Sequence, residues 1–448
     1  MPLNRSLKYF SLTNIVVGDM IGAGIFIITG IFLAALYNPI IMIGLWVIGG
    51  CIALCGALSY SELGASFPKA GGEYVFLSEL FTPVLGFLSG WVSFIVGFSA
   101  PIAAVALSFS EYGLRAVADG TMPEHIVYYK KGVAIAIILL FTIIHSLGLK
   151  SGSKFHNLLT ILKIVIITGF ITSGFIFGDG SFNNFIVENK EVFNLGHIKT
   201  LGLALMVIMY SYSGWNATTY IGSEVINPVK NIPRSLITGT AIVALLYILM
   251  NILYVYAIPA DKMKDVVSIG GLAANYMFNL SLDKLFSIFI AIILLSSISA
   301  CIVIGPRVYY AMSKGGHFFP MASKVNRYNV PAISIVFQSC VSIAFVIFSS
   351  LHQIIVILSF SLGIFPILAV IGVFKLRIKK LSKFRSPGYP YVQILFIMFS
   401  LTILVLAYME MPKESSIALF ITGMGVPLYY LLGRNKFNKT QRKKNMST

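Results

Sequence analysis

Residues 18–30 read GDMIGAGIFIITG, and residues 209–222 read MYSYSGWNATTYIG. Each stretch interrupts a long apolar run. In the first, Gly22 and Gly24 flank Ala23; in the second, Ser213–Gly214 precedes Trp215 and Asn216. Glycine in a helix interior costs about 1 kcal/mol against alanine. Backbone freed from a helix inside a bilayer must find partners in protein or line a watery cavity. The pair of breaks therefore predicts two discontinuous membrane helices with a site between them. Gly18 and Gly22 also have the GxxxG spacing that permits close helix packing, but the polar break five spans later favours unwinding.

The rest of the chain supplies the spans. Of 448 residues, 57% are hydrophobic and 11% charged, against about 45–50% and 25% in soluble domains. That excludes a soluble enzyme, a disordered chain and a disulfide scaffold. Runs of about 20 apolar residues fall near 12–36, 40–66, 84–112, 132–149, 155–178, 199–226, 234–258, 283–312, 332–350, 353–375, 390–409 and 415–433. The short alternating segments of a barrel are missing, so the class is an all-α integral membrane protein with twelve transmembrane helices. The N-terminal MPLNRSLKYF is too short and weakly apolar for a cleaved signal peptide, so the first helix is expected to stay as an anchor.

The breaks in spans 1 and 6 are five spans apart, as expected for two inverted repeats. One membrane domain then covers 1–448: helices 1–5 in 1–178, helices 6–10 in 199–375, helices 11–12 in 390–433, and a basic tail at 434–448. With both termini cytoplasmic, 23 Lys and Arg fall inside, nine outside, and Lys163 lies within span 5. That bias satisfies the positive-inside rule. The net charge of +17 is thus an orientation signal rather than a nucleic-acid footprint.

Helix ends suggest the chemistry. An outer half-helix starting at the first break leaves the amides of Gly24, Ile25 and Phe26 without intrahelical acceptors, which suits a carboxylate. The carbonyls of Tyr210 to Ser213 end the other half-helix and suit an ammonium. A zwitterion such as an amino acid bridges the two.

VVGDMIGAGIF in span 1, ELGASFPKAGGEYVFL after span 2 and YSGWNATTYIGSEVINPVKNIPRS across span 6 carry a resemblance, with GPRVYYAMSKGGHFFP and FRSPGYP further on. Together they resemble the amino acid–polyamine–organocation transporter superfamily, near its L-type amino acid transporter branch, over nearly the whole chain. The resemblance implies a leucine-transporter-type 5+5 inverted repeat and alternating access on amino acids. It places the substrate carboxylate at Gly22-Ala23-Gly24, with Ala23 where the branch often has Ser. Tyr210 takes the place of the aromatic gate, where Phe is common, and Asn216 matches a polar residue beside the pocket. The loop cysteine that tethers a heavy subunit in mammalian members would fall in 113–131, which contains none. No disulfide-linked partner is therefore expected.

Lys163 sits in NLLTILKIVIITGF, and an ionisable residue inside a membrane helix is by default a functional candidate. By resemblance it matches the span-5 lysine of sodium-independent members, whose ammonium replaces a sodium ion. It is expected to link carbonyls near Gly18–Gly22 to Ser297 in span 8. Asp19 could line the inner vestibule or pair with a cation. Glu224 is expected in a structural or gating role, and His145 in hydrogen-bonded packing. Cys51, Cys55, Cys301 and Cys340 read as small packing residues, and no metal ligand set, cofactor motif or catalytic constellation is present. The expectation is a sodium-independent transporter of neutral L-amino acids in the cell membrane, working as an exchanger or proton-linked permease. Its rivals are a sodium-coupled symporter of the same fold and, from another class, a membrane sensor or channel. The acidic residues expected near the site are Asp19 and Glu224 alone.

Overall fold

The computed structural model describes residues 3–22, 24–26, 29–30, 38–117, 126–186, 195–259, 262–263, 269–278, 283–349 and 351–445. Among them the regular structure is helical, and strand pairing is limited to the isolated bridges Leu7–Val225 and Ala70–Ile221. The helices are α1 (Tyr9–Met20), α2 (Pro39–Ser66), α3 (Glu73–Leu80), α4 (Pro83–Val92), α5 (Ser99–Val117), α6 (Ile126–Ser146), α7 (Leu149–Phe177) and α8 (Leu195–Ser211). They continue as α9 (Ala217–Tyr220), α10 (Pro228–Ala257), α11 (Ile269–Phe278), α12 (Asp283–Gly315), α13 (Ala332–Phe348), α14 (Leu351–Ile378), α15 (Tyr391–Glu410) and α16 (Pro412–Asn445).

Eight stretches among the described residues are long and apolar enough to cross a membrane: Pro39–Ser66, Pro83–Val117, Ile126–Ser146, Gly152–Phe177, Pro228–Ala257, Lys284–Gly315, Tyr391–Glu410 and Pro412–Leu432. Of the other four expected spans, 353–375 is helical within α14, and three have local reasons to differ. Span 12–36 is helical over Tyr9–Met20 and again at 24–26 and 29–30, and its outer end lies outside the described residues. Span 199–226 stops at Ser211, where the polar break falls. Span 332–350 shortens to Ala332–Phe348. The last helix runs on to Asn445, so the basic tail begins as helix.

Proline and a polar cap start several of these helices. The Asn38 side chain accepts from the amides of Ile40 and Ile41 at 3.0 and 3.2 Å, with Pro39 in the first turn. Thr82 caps α4 ahead of Pro83 in the same way. Asparagine and threonine satisfy orphan amides, and proline wastes none because its missing N–H had no partner there.

Glycine brings the elements around the breaks together. A Cβ on Gly49 would stand 2.9 Å from Ile208 Cγ2, and one on Gly50 would stand 3.0 Å from the Tyr212 hydroxyl. Helix α2 thus packs against α8 and α10, while α1 lies among α7, α10 and α12. This core buries charge as well as apolar surface: Lys163, Glu224, Glu62 and Arg307 are each at most 1% exposed. Charges are almost never fully buried unless they are paired, so their partners locate the strategic contacts.

Candidate functional site

Helix α1 ends at Met20; Ile21 turns to an extended backbone, Gly22 bends, and helix resumes at 24–26. The carbonyls that lose their helical amides there turn to Lys163 of α7. Its Nζ donates to Gly18 O at 3.1 Å, Ile21 O at 2.5 Å and Ser297 Oγ at 3.0 Å. Ser297 Oγ donates in turn to Ile21 O at 2.6 Å. An ammonium has three N–H groups and no acceptor, and here it has three acceptors. Lys163 therefore joins the broken end of α1 to α12.

Helix α8 ends at Ser211 and helix resumes at Ala217, with Gly214 between them at φ +102°. A Cβ on Gly214 would stand 2.8 Å from Asp19 Oδ2 and 2.9 Å from the Met20 amide nitrogen. The two breaks thus touch, and glycine is what lets them. The Tyr247 hydroxyl also spans them, 2.8 Å from Met20 O and 3.0 Å from Ser211 O.

Where the breaks meet there is a cavity of about 140 Å³. Since one water needs about 10–15 Å³ on this measure, the space suits a small organic molecule of on the order of ten heavy atoms. Of the sequence candidates, Gly22, Gly24, Tyr210, Ser213, Gly214, Trp215, Asn216 and Ser297 line it. Ile25 and Phe26 are buried and lie outside its lining, Ala23 lies outside the described residues, and Gly18 and Lys163 sit behind the wall. Trp215 packs edge-on to Tyr60 and Phe396, with ring centroids 4.7 and 5.6 Å away. Much of the remaining wall is apolar, with Phe98, Val105, Met206, Met209 and Ile403.

The expectation about acidic residues needs correction. Asp19 lines the cavity and accepts from the Cys301 thiol at 3.2 Å. Glu224 lies away from the cavity, held by Arg307 through Nε at 2.8 Å and Nη2 at 3.2 Å. The second acidic residue of the wall is Glu73, from the segment after α2. Its carboxylate accepts from Tyr60 and Tyr220 hydroxyls, Asn216 Nδ2 and Ser89 Oγ. Burial pushes this carboxyl above the usual carboxylate range, against the pull of those four donors. Asn216 spends its amide on Glu73 and on the Tyr220 hydroxyl, each at 3.0 Å. The only sequence signal for Glu73 was its place in KAGGEYVFL, where a charge reads as loop solvation.

His145 bonds Ser299 Oγ at 2.9 Å inside the bundle, the packing role expected of it. The four cysteines are free thiols. Among the described residues no group of three or more His, Cys, Asp or Glu side chains could hold a metal ion.

Comparison with known proteins adds to this geometry. The family model described as "Amino acid permease" matches residues 7–429. The b(0,+)-type amino acid transporter 1 of Mus musculus is 29% identical over 446 residues, which is 98% of this chain and 90% of the relative. The serine/threonine exchanger SteT of Bacillus subtilis (strain 168) is 28% identical, covering 95% of this chain and 96% of the relative. The cystine/glutamate transporter of Homo sapiens is 28% identical, covering 96% and 86%.

Proposed function

The chain belongs to the amino acid permease family, within the amino acid–polyamine–organocation superfamily, and from that premise we propose sodium-independent transport of neutral L-amino acids. Amino acid transport across a membrane is the family's activity; the rest of the reading comes from the cavity. The substrate's carboxylate goes to the helix start at Gly24, the member of the Gly24–Phe26 turn that lines the cavity, and its ammonium to the carbonyl end of α8. The mostly apolar wall beyond the breaks supports neutral side chains. Tyr210 lies at the cavity edge, half-buried, and serves as the gate over bound substrate.

One observation carries the sodium independence: the Lys163 ammonium already occupies the carbonyls that the first break sets free. A sodium ion recruited to the same oxygens would have to displace it. Alternating access follows if the paired half-helices move against the surrounding bundle, within twelve spans built as two inverted repeats. We place both termini in the cytoplasm of a cell-membrane protein that needs no disulfide-linked partner and works as an exchanger or a proton-linked permease.

Purified protein in proteoliposomes loaded with unlabelled amino acids should take up a labelled neutral amino acid with no sodium on either side. Loading dependence separates exchange from proton-linked uptake. Uptake that appears only with sodium would instead favour the sodium-coupled symporter.

A further inference from the structure

Glu73 belongs to neither break, yet it faces the same cavity as Asp19. It opens α3 directly after Gly71 and Gly72 and is 5% exposed. Among the described residues, the hydrogen bonds to its carboxylate come from neutral groups. Oε1 accepts from Tyr60 at 2.7 Å, Asn216 at 3.0 Å and Tyr220 at 3.1 Å, whereas Oε2 has only Ser89 at 3.3 Å. Each carboxylate oxygen offers about two lone-pair sites, so Oε1 is fully subscribed and Oε2 keeps room for a donor. The glutamates in ion pairs among the described residues are Glu62, Glu79, Glu111 and Glu224, and Glu73 is in none of these pairs. Lys163, the cation beside Asp19, has its three N–H groups committed elsewhere.

The cavity wall therefore presents two carboxylates, with one committed ammonium behind it. A zwitterion leaves that imbalance as it was; a ligand with one extra positive charge removes it. A buried carboxyl without an ionic partner is pushed toward its neutral form, as Glu73 is, and a cationic side chain is the ligand that would hold it ionised. Ser93, one turn beyond Ser89 along the chain, also lines the cavity and adds a second hydroxyl to this part of the wall.

We infer that Glu73 forms a side-chain subsite for cationic L-amino acids, with the ammonium or guanidinium donating to Oε2 beside Ser89. The inference rests on the two breaks holding the α-amino and α-carboxylate groups, and it widens the substrate range beyond neutral side chains. Glu73 is then a specificity-determining residue, distinct from the groups that hold the substrate backbone.

The test uses the full-length protein in proteoliposomes with whichever of labelled L-alanine, L-serine or L-leucine it carries. Unlabelled L-lysine, L-ornithine and L-arginine compete against it, beside the unlabelled neutral substrate. At least one cationic amino acid should inhibit the native protein. In Glu73→Gln the ratio of cationic to neutral inhibition constants should rise roughly 10- to 100-fold, the weight of one charge-assisted hydrogen bond. Neutral transport that ignores all three cationic amino acids overturns the subsite, even if Glu73→Gln removes a pH dependence and so marks a proton site. An unchanged ratio overturns it too. Should Glu73→Gln carry nothing, melting of the purified protein decides: the subsite requires L-lysine to stabilise the native form and not the variant, and equal stabilisation of both overturns it. Failure to carry any neutral amino acid, by contrast, strikes the neutral-transport reading itself.

Discussion

At the scale of single residues, the buried charges sort by what their partners leave undone. Arg307 and Glu224 complete each other: the guanidinium holds both carboxylate oxygens and also donates to Val303 O at 2.6 Å. The main chain of Glu224 meanwhile accepts from the amides of Ser6 and Leu7, tying the N-terminal segment to the C-terminal end of span 6. Removing one member of a buried pair strands the other, typically at about 3–5 kcal/mol. Arg307→Ala should therefore lower the melting temperature of the detergent-solubilised protein sharply, and an unchanged melting curve would show the pair to be dispensable. How far such residues were legible depended on contrast with their surroundings. Lys163 stood out because a charge inside an apolar run such as NLLTILKIVIITGF is rare, its ordinary reading being a lysine that snorkels to the headgroups. Glu73 stayed hidden because charge between spans is ordinary, and only the fold brings α3 against Tyr60, Asn216 and Tyr220.

At the scale of elements, the two breaks are unlike in how much space they leave. A Cβ on Gly22 would meet nothing within 4 Å, whereas one on Gly214 would strike Asp19 and Met20 at a positive φ. Holding a side chain in such a backbone conformation costs on the order of 1–3 kcal/mol, before any clash. Gly214→Ala should consequently destabilise the solubilised protein clearly more than Gly22→Ala does. Equal melting temperatures for the two variants would mean the breaks do not touch as described. The positions of both breaks could be read from the sequence, since Gly and Ser-Gly-Trp-Asn in apolar runs carry their own physical signal. Helix α3 could not: EYVFLSEL is too short for its period to speak. Nor could the π-helical turn Ser93–Gly97 that interrupts the long second apolar stretch, for SFIVG is a sequence any membrane helix could use.

At the scale of the whole molecule, the distribution of charge bears on orientation. With the N-terminus inside, the basic residues divide 23 to nine, which the positive-inside rule translates into two cytoplasmic termini. Reporter fusions at each end should both be active on the cytoplasmic side, and a split result would refute the even number of spans. The apolar runs made the membrane class plain from composition alone; the meeting of α1, α7 and α12 at one ammonium needed the fold. That meeting joins the first half of the chain to the second, which makes Lys163 the hinge of the transport reading. The direct test is labelled neutral amino acid uptake, without sodium, by native and Lys163→Ala protein reconstituted in equal amounts and shown to be folded. Loss of most uptake in the variant is the expected result, and uptake equal to the native protein's would contradict the role given to Lys163.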